Sequence, residues 1–297
     1  MECKICGSSD IVTVYEGLIR VGKFGNLSDK KVPVYECRSC SAKWLQSLIK
    51  DKVEYYESEA YRKEVDEGFD VQSYFKLHDG EQLKHFNMTG TAIFRNKIVA
   101  DIGCGAGSFL DYVKSACETA IAIEPASLYR ASLAQRGYRV YPYAADALVD
   151  YKDKVDVAVS YSVLEHIEDP LSFLRDIHAL LAPGGSLIVS TPNADDVLLE
   201  VIPEVYSPFY YRKAHLWYFN AAALKNLLET AGFQDNTVTH FHRFGLGNFL
   251  TWIRDRQPKG DSRLACISDT MNAVWRSELE RTGQSDYLTA VGIKKSK

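Results

Sequence analysis

The sequence has no long apolar segment and no strong charge of either sign. No apolar run approaches the roughly 18 residues that a membrane-spanning helix needs, and the segment after Met1 lacks the apolar core of a signal peptide. With 35 Lys and Arg against 39 Asp and Glu, the formal net charge is −4, so no global positive field attracts a nucleic acid. We also find no internal repeat or low-complexity tract. These absences favour a cytoplasmic globular protein without a membrane span.

The cysteine count is odd, and with no secretion signal it argues against a disulfide framework. Four of the seven cysteines form two C-x-x-C pairs, Cys3 with Cys6 and Cys37 with Cys40. Four thiolates can close a tetrahedral zinc site that has no open position. The pattern predicts a zinc ribbon over residues 1–45, with two short strands at 11–15 and 32–35. This ribbon would take its folding energy from structural zinc. Four unrelated reduced thiols, or a redox pair, are the alternatives.

A glycine-rich loop follows a short apolar run that predicts a buried strand. Gly103, Gly105 and Gly107 precede a helical segment that opens on a predicted capping pair, Ser108 and Asp111. Because glycine has no side chain, three glycines at alternate positions let a ligand lie against the backbone, beside the free N–H groups at the start of a helix. The loop is therefore predicted to hold a cofactor. A dinucleotide fingerprint has its third glycine where this chain has Ser108, which argues against a nicotinamide cofactor.

The motif Asp101-x-Gly103-x-Gly105-x-Gly107 resembles the first motif of class I methyltransferases that use S-adenosylmethionine (SAM). The resemblance extends over residues 96–244, where strands alternate with helices and a Leu-x-Pro-Gly-Gly turn ends one helix. Asp169 and Asn220 are the predicted N-caps of two of these helices. It implies an α/β, Rossmann-like sheet that is mostly parallel, with an antiparallel last strand and ligands at the carboxyl ends of the strands.

The resemblance assigns the cofactor-binding residues. Glu124 ends the second strand, 21 residues beyond Gly103, where a carboxylate can accept hydrogen bonds from both ribose hydroxyls. Asp146 matches the family's third motif, in which an acid accepts from the adenine amino group, and a solvated loop aspartate is the alternative. The predicted set is Asp101, Gly103, Cys104, Gly105, Gly107, Glu124, Asp146 and Ser160.

The catalytic prediction rests on what methyl transfer requires. Displacement at a sulfonium gains most from positioning in a water-poor site, and an alcohol acceptor also needs a base within hydrogen-bond reach. His166, after the fourth strand, and His215, in an aromatic segment, are the candidates, and Glu165 would orient His166. Structural roles remain open for all three, since Glu165 also suits the first turn of a helix.

The remaining segments are interpreted by composition. The composition of residues 46–95 predicts a helical linker or cap. Its tyrosines either face the cofactor or pack as ordinary helix surface. Residues 96–297 form the predicted methyltransferase domain. Within it, 193–219 is an aromatic substrate lid, and 245–285 is an insertion that extends the pocket or packs against a second subunit in a homodimer.

The acceptor is predicted from a second resemblance. A four-cysteine module fused to a SAM domain is similar to the sugar methyltransferases of deoxysugar and surface-polysaccharide pathways, which implies a small, sugar-like, hydroxylated acceptor. An RNA methyltransferase that docks RNA through the ribbon is the alternative, and the net charge and scattered basic residues argue against it. The third hypothesis is a protein without catalytic activity that senses SAM or mediates an interaction through its zinc module.

Overall fold

The computed structural model describes residues 1–58, 60–65, 70–258 and 264–296. In this part of the chain the strands are β1 (Ile11–Gly17), β2 (Val32–Cys37), β3 (Lys43–Leu45), β4 (Ile98–Ile102), β5 (Thr119–Ile123), β6 (Arg139–Tyr141), β7 (Val155–Tyr161), β8 (Leu181–Pro192), β9 (Trp217–Tyr218), β10 (Gln234–Phe241) and β11 (Tyr287–Ile293). The α-helices are α1 (Lys52–Glu57), α2 (Ala60–Val65), α3 (Val71–Thr89), α4 (Ser108–Val113), α5 (Ser127–Gln135), α6 (Ala144–Tyr151), α7 (Pro170–Leu180), α8 (Val197–Val201), α9 (Pro203–Tyr210), α10 (Ala221–Ala231), α11 (Leu246–Asp255) and α12 (Asp269–Thr282). Two 3₁₀ helices cover Ala92–Phe94 and Leu164–His166.

The chain divides into two compact units, each built from segments that are distant in sequence. The first, here called the cysteine unit, comprises Met1–Gln46, Ser190–Asn226 and Thr237–Ala290. The second, here called the glycine-loop unit, comprises Ser47–Val189, Leu227–Asn236 and Val291–Lys297. No helix in the described ranges combines the length and apolar character needed to cross a membrane.

A seven-stranded sheet has the order β10-β11-β8-β7-β4-β5-β6. Strand β4 is parallel to both β5 and β7, and β5 is parallel to β6. Backbone hydrogen bonds join Gly184 to Lys294 and Asn193 to Asp286, so β8 and β11 run in opposite directions. The predicted α/β sheet, mostly parallel with an antiparallel last strand, is confirmed.

The register of this sheet brings the predicted cofactor loops to one edge. Ile102, the last residue of β4, pairs with Ile123, the last residue of β5. The glycine loop and Glu124 therefore leave the sheet side by side, where parallel strands place their ligands. Strand β7 is buried along almost its whole length, as expected for a central strand covered on both faces.

Helix boundaries confirm two predicted caps and correct a third. Asp169 accepts a hydrogen bond from the Ser172 N–H at the start of α7, and Asn220 accepts one from the Ala223 N–H at the start of α10. The capping pair predicted at Ser108 and Asp111 is wrong. Gly107 is the N-cap of α4, and the Asp111 carboxylate instead accepts hydrogen bonds from Arg136 and from the Tyr138 hydroxyl.

A four-stranded sheet in the cysteine unit has the order β1-β2-β3-β9. The two predicted ribbon strands correspond to β1 and β2, and β3 extends them by pairing with β9, far along the chain. Lys43 lies opposite Tyr218 and Trp44 opposite Trp217, with the two tryptophan ring centroids 5.7 Å apart. The segment 193–219 is thus not a single long loop, because it contains α8, α9 and a strand of this sheet.

A buried acidic pair lies elsewhere in the cysteine unit. Asp196 accepts hydrogen bonds from the Leu198 N–H and the Tyr206 hydroxyl, both at 2.9 Å. Burial, and then the charge of Asp286, raise the pKa of Asp196 to about 7. Burial also acts to raise the pKa of Asp286, but Arg243 and His242 outweigh it and hold that pKa at about 2. The two carboxyl groups therefore differ in protonation near neutral pH.

The raised pKa of Asp196 gives the stability a specific pH dependence. The pKa of Asp196 in the folded protein lies above the ordinary value of 3.8, so the protonated carboxyl group favours the folded state. Its contribution to the free energy of unfolding is fully present below pH 4 and is lost as the pH rises through 7. We expect the free energy of unfolding to fall more steeply between pH 5 and 8 in the wild type than in Asp196→Asn, by at least about 1.4 kcal/mol, the equivalent of one pKa unit. Urea unfolding at each pH measures this difference.

Asp195→Asn is the control, because the exposed neighbour Asp195 lies outside the pair with Asp286. In this variant the free energy of unfolding should depend on pH as it does in the wild type. Equal slopes for Asp196→Asn and the wild type would show that Asp196 ionises normally in the folded protein.

Candidate functional site

The glycine loop adopts backbone conformations that side chains disfavour. Gly103 and Gly105 have φ angles of 78° and 55°, in the left-handed region where glycine carries no steric cost. A Cβ atom at Gly103 would overlap the side chain of Val163, and one at Gly105 would overlap the hydroxyl of Tyr74. The side chains of Val163 and Tyr74 therefore fill the space beside these two glycines, whereas the sequence predicts that a ligand lies against this backbone.

Glu124 anchors this loop to the end of β5. Its Oε2 accepts a hydrogen bond from the Gly105 N–H and its Oε1 accepts one from the Ala126 N–H, each at 2.8 Å. The residue is buried. Each carboxylate oxygen has two lone pairs, so both oxygens can accept a further hydrogen bond from a ligand hydroxyl while they hold the loop.

A second buried carboxyl group, Asp101, lies one residue before the end of β4, near Glu124. Burial, and then the charge of Glu124, raise the pKa of Asp101 to about 8. Burial likewise raises the pKa of Glu124, against the hydrogen bonds from Ala126 and Gly105 and the positive charges of Arg62 and Arg130. Two acids buried next to each other favour a cationic ligand, because its charge would stabilise both ionised forms.

Three further residues of the predicted cofactor set have defined contacts. Ser160 of β7 donates a hydrogen bond from its hydroxyl to the Ile102 carbonyl at 3.1 Å. Cys104 is buried, and this burial raises the pKa of its thiol. Asp146 is exposed and accepts a hydrogen bond from the Tyr143 N–H at 3.1 Å in the first turn of α6. The role of Asp146 as a helix cap leaves its other oxygen available to a ligand.

The two predicted catalytic histidines belong to different units. His166 lies in the 3₁₀ helix after β7, with its Nδ1 3.3 Å from the Tyr56 hydroxyl and its ring centroid 5.6 Å from that of Tyr61. Glu165, its neighbour, is buried. His215 is buried in the cysteine unit, with its ring centroid 6.2 Å from that of Tyr218.

Residues of helices α1, α2 and α3 lie near His166 and the glycine loop. For Tyr56 and Tyr74 the sequence left open whether they face the cofactor or pack as ordinary helix surface, and it did not single out Tyr61 or Arg62. Tyr56 and Tyr61 lie beside His166, Tyr74 covers Gly105, and Arg62 lies over three tyrosine rings. The one signal in the sequence was the density of tyrosines, which did not separate residues that face the loop from ordinary surface residues.

The four paired cysteines lie together in the cysteine unit. The Sγ atoms of Cys3 and Cys40 are 3.6 Å apart, those of Cys6 and Cys37 are 3.5 Å apart, and all four lie within 4.8 Å of one another. A tetrahedral zinc site with Zn–S bonds of about 2.3 Å separates its sulfurs by about 3.8 Å, so this arrangement fits the ion. Burial raises the pKa of the Cys3 and Cys40 thiols, and a bound cation would offset that effect.

Comparison with known proteins identifies the family to which this chain belongs. A family model described as a methyltransferase domain matches residues 80–238. A relative from Mycolicibacterium smegmatis, named as a probable S-adenosylmethionine-dependent methyltransferase, is 33% identical over 154 residues, which cover 50% of this chain and 56% of the relative. A ubiquinone biosynthesis O-methyltransferase of Ruegeria pomeroyi is 31% identical over 145 residues, which cover 45% of this chain and 58% of the relative.

The matched region spans less than two thirds of the length of these curated relatives. Among solved structures, a SAM-dependent methyltransferase of Thermotoga maritima superposes with a TM-score of 0.53 at 20% identity, covering 79% of this chain and 98% of that one. At this identity the likeness concerns the fold alone. Since the family model matches more than half of the sequence, this chain belongs to the methyltransferase-domain family.

Proposed function

We propose that this protein transfers a methyl group from SAM to a hydroxyl group of a small polar acceptor. The observation that carries the proposal is the Glu124 carboxylate, buried beside the glycine loop and hydrogen-bonded to the Gly105 N–H. The relative from Ruegeria pomeroyi, named an O-methyltransferase, supports a hydroxyl acceptor. The resemblance of a four-cysteine module with a SAM domain to sugar methyltransferases supports a sugar-like one.

The cofactor role follows from the residues at the carboxyl edge of the sheet. The backbone from Gly103 to Gly107 gives the ligand close approach, Glu124 accepts from the ribose hydroxyls, and Asp146 accepts from the adenine amino group. Burial and the charge of Glu124 favour the neutral form of Asp101, and the cationic end of a bound ligand would favour its ionised form. Bound SAM supplies an electrophilic methyl carbon, and the protein's own task is to orient the acceptor and exclude water.

His166 is the proposed base. Its Nδ1 faces the Tyr56 hydroxyl, which fixes the plane of the ring, and its Nε2 then takes the proton from the acceptor hydroxyl. Burial, followed by the charges of Tyr61 and Tyr55, raises the pKa of Tyr56, so its phenol stays neutral as a hydrogen-bonding partner. Glu165, in the same 3₁₀ helix as His166, is proposed as a further contributor to the acceptor site.

The four cysteines are proposed to hold one structural zinc ion. Cys37 is the last residue of β2, and Cys40 lies in the turn between β2 and β3. A metal ion at this point would fix the connection between two strands of the cysteine-unit sheet. The site would therefore contribute to folding rather than to methyl transfer.

Glu124→Gln tests the cofactor site. We expect the affinity for SAM to fall about 10- to 100-fold, because hydrogen bonds to a charged group are worth about 1.5–3 kcal/mol. Calorimetric titration measures the affinity, and circular dichroism checks the fold. Glu118→Gln, an exposed acid just before β5, is the matched control and should bind SAM normally. Absence of SAM binding by the folded wild type would refute the proposed function.

His166→Gln tests the base. We expect kcat to fall about 10²- to 10⁴-fold, the usual contribution of a general base, while the affinity for SAM stays unchanged. Release of S-adenosylhomocysteine is followed with a panel of sugars and nucleotide-linked sugars, and with RNA as a separate arm. His178→Gln, whose ring packs on Phe233, is the histidine control. Turnover with RNA alone would favour the second hypothesis.

Cys40→Ser tests the metal site. The purified wild type should contain one zinc ion per chain by elemental analysis, and the variant should lose the zinc and melt at a lower temperature because metal binding contributes folding free energy. Cys266→Ser, an exposed cysteine outside the cluster, should keep both. A metal-free wild type whose melting temperature is unaffected by zinc and by chelators would contradict the assignment.

A further inference from the structure

The connection between β1 and β2 contains a second, smaller hairpin. Arg20 lies opposite Leu27 as an antiparallel bridge, and the Val21 N–H donates a hydrogen bond to the Asn26 carbonyl at 2.9 Å. These backbone contacts give residues 19–28, here called the tip hairpin, a defined conformation. The tip hairpin belongs to the cysteine unit.

The turn of the tip hairpin presents an aromatic side chain to solvent. Gly22 and Gly25 have φ angles of 67° and 93°, in the region where glycine is the favoured residue. Between them the turn carries Lys23 and Phe24, and 53% of Phe24 is exposed. The glycines therefore allow a tight turn that holds a large apolar side chain at the surface.

Two aliphatic side chains accompany Phe24. Leu27, in the tip hairpin, is 44% exposed, and Leu18, just before it, is 38% exposed. The Phe24 ring packs edge-on against Phe209, with the ring centroids 5.9 Å apart, so one side of the ring is held by the protein. Exposed apolar groups that lie together are typical of interaction sites.

Basic side chains surround these apolar groups. The connection 18–31 has four basic residues and one acidic residue, Asp29, although the whole chain has a net charge of −4. The basic residues are Arg20, Lys23, Lys30 and Lys31. The three lysines are exposed. The connection therefore has a positive charge that is opposite in sign to that of the chain.

The segment after α9 adds two more basic residues beside the tip hairpin. The Arg20 N–H donates to the Tyr211 carbonyl, and the Lys213 N–H donates to the Arg20 carbonyl, each at 2.9 Å. Arg212 and Lys213 are therefore next to the tip hairpin. Because the Arg20 guanidinium carbon lies 4.6 Å from the Phe209 ring centroid, positive charge and apolar surface occur together here.

We propose that the tip hairpin docks this protein on the surface of a lipid bilayer that carries anionic headgroups. Each Lys or Arg close to such a surface adds to the affinity, and Phe24 and Leu27 would enter the boundary between headgroups and acyl chains. The exposed leucines favour a bilayer over a nucleic acid, because bases stack on aromatic rings and not on aliphatic side chains. This inference does not depend on the proposed methyl transfer.

Co-sedimentation with vesicles tests the docking. The full-length wild type is mixed with vesicles of phosphatidylcholine alone, and with vesicles of phosphatidylcholine and phosphatidylglycerol in equal parts. We expect the anionic vesicles to bind at least about 10-fold more tightly, since several basic residues contribute, and this binding to weaken as salt is added. Equal binding to both kinds of vesicle, or binding to neither, would overturn the inference.

Two variants separate the charge from the apolar surface. We expect Lys30→Gln/Lys31→Gln to bind the anionic vesicles about 10-fold more weakly than the wild type. Leu27→Ser should bind them about 3- to 10-fold more weakly, because it removes apolar surface that would enter the bilayer. Wild-type affinity in both variants would show that another part of the protein meets the vesicle, and the role of the tip hairpin would be wrong.

The matched controls carry the same substitutions in the glycine-loop unit. Lys84→Gln/Lys152→Gln changes two exposed lysines, and Val149→Ser changes an apolar side chain of α6 that is 83% exposed. Both should bind the anionic vesicles as the wild type does. Losses in the controls equal to those in the tip-hairpin variants would show a general effect of charge and apolar surface, and would overturn the inference.

Single-stranded RNA is the competing ligand. Fluorescence anisotropy with labelled oligouridine measures its binding to the same variants. Binding of oligouridine without binding of anionic vesicles would overturn the inference in favour of RNA. Calorimetric titration with SAM should give the wild-type affinity in the tip-hairpin variants, and their melting temperatures check folding. A folded wild type that binds anionic vesicles but not SAM would support this inference and refute the proposed function.

Discussion

The geometry of the candidate site depends on one buried acid that holds two backbone N–H groups. Glu124 accepts from Gly105, in the loop after β4, and from Ala126, in the loop after β5. Burial penalises its charge, and the two hydrogen bonds together with the nearby guanidinium groups offset that cost. The conformation of the glycine loop is therefore set by the next strand of the sheet, and the parallel register of β4 and β5 is what makes the contact possible.

This constraint explains why the sequence predicted that the glycine loop and Glu124 follow two strands of the sheet. Ile102 and Ile123 end adjacent parallel strands, so the spacing between the glycine motif and the acid corresponds to one strand–helix–strand unit, which has a limited range of lengths. Capping signals such as Asp169 and Asn220 are also local, and both predictions were correct. The prediction at Ser108 failed because Asp111 has stronger partners in Arg136 and Tyr138, which its own sequence neighbourhood does not reveal.

The features of the fold and of the candidate site that could not be predicted from the sequence depend on contacts between segments that are distant in the chain. The pairing of β3 with β9 joins residues more than 170 positions apart in the chain, and neither strand is long enough to give a clear alternating pattern. The contacts of Arg62 with Tyr74 and Tyr129 likewise depend on how three helices pack. Short helices rich in tyrosine and charge show no periodicity that distinguishes a side chain facing a cofactor from one facing water, so α2 gave no individual prediction.

Within the cysteine unit, the ribbon that carries the four cysteines is hydrogen-bonded to a distant part of the chain. The Leu45 N–H donates to the Leu216 carbonyl at 3.0 Å, which ties the ribbon strand β3 to the residue that follows His215. The Arg20 N–H also donates to the Tyr211 carbonyl, and the Lys213 N–H donates to the Arg20 carbonyl. The aromatic segment 209–218 is therefore held by backbone bonds to the ribbon. Because strand pairing is cooperative, a metal ion that stabilises the ribbon would also hold His215, which the sequence predicts as a catalytic residue, in position without contacting it.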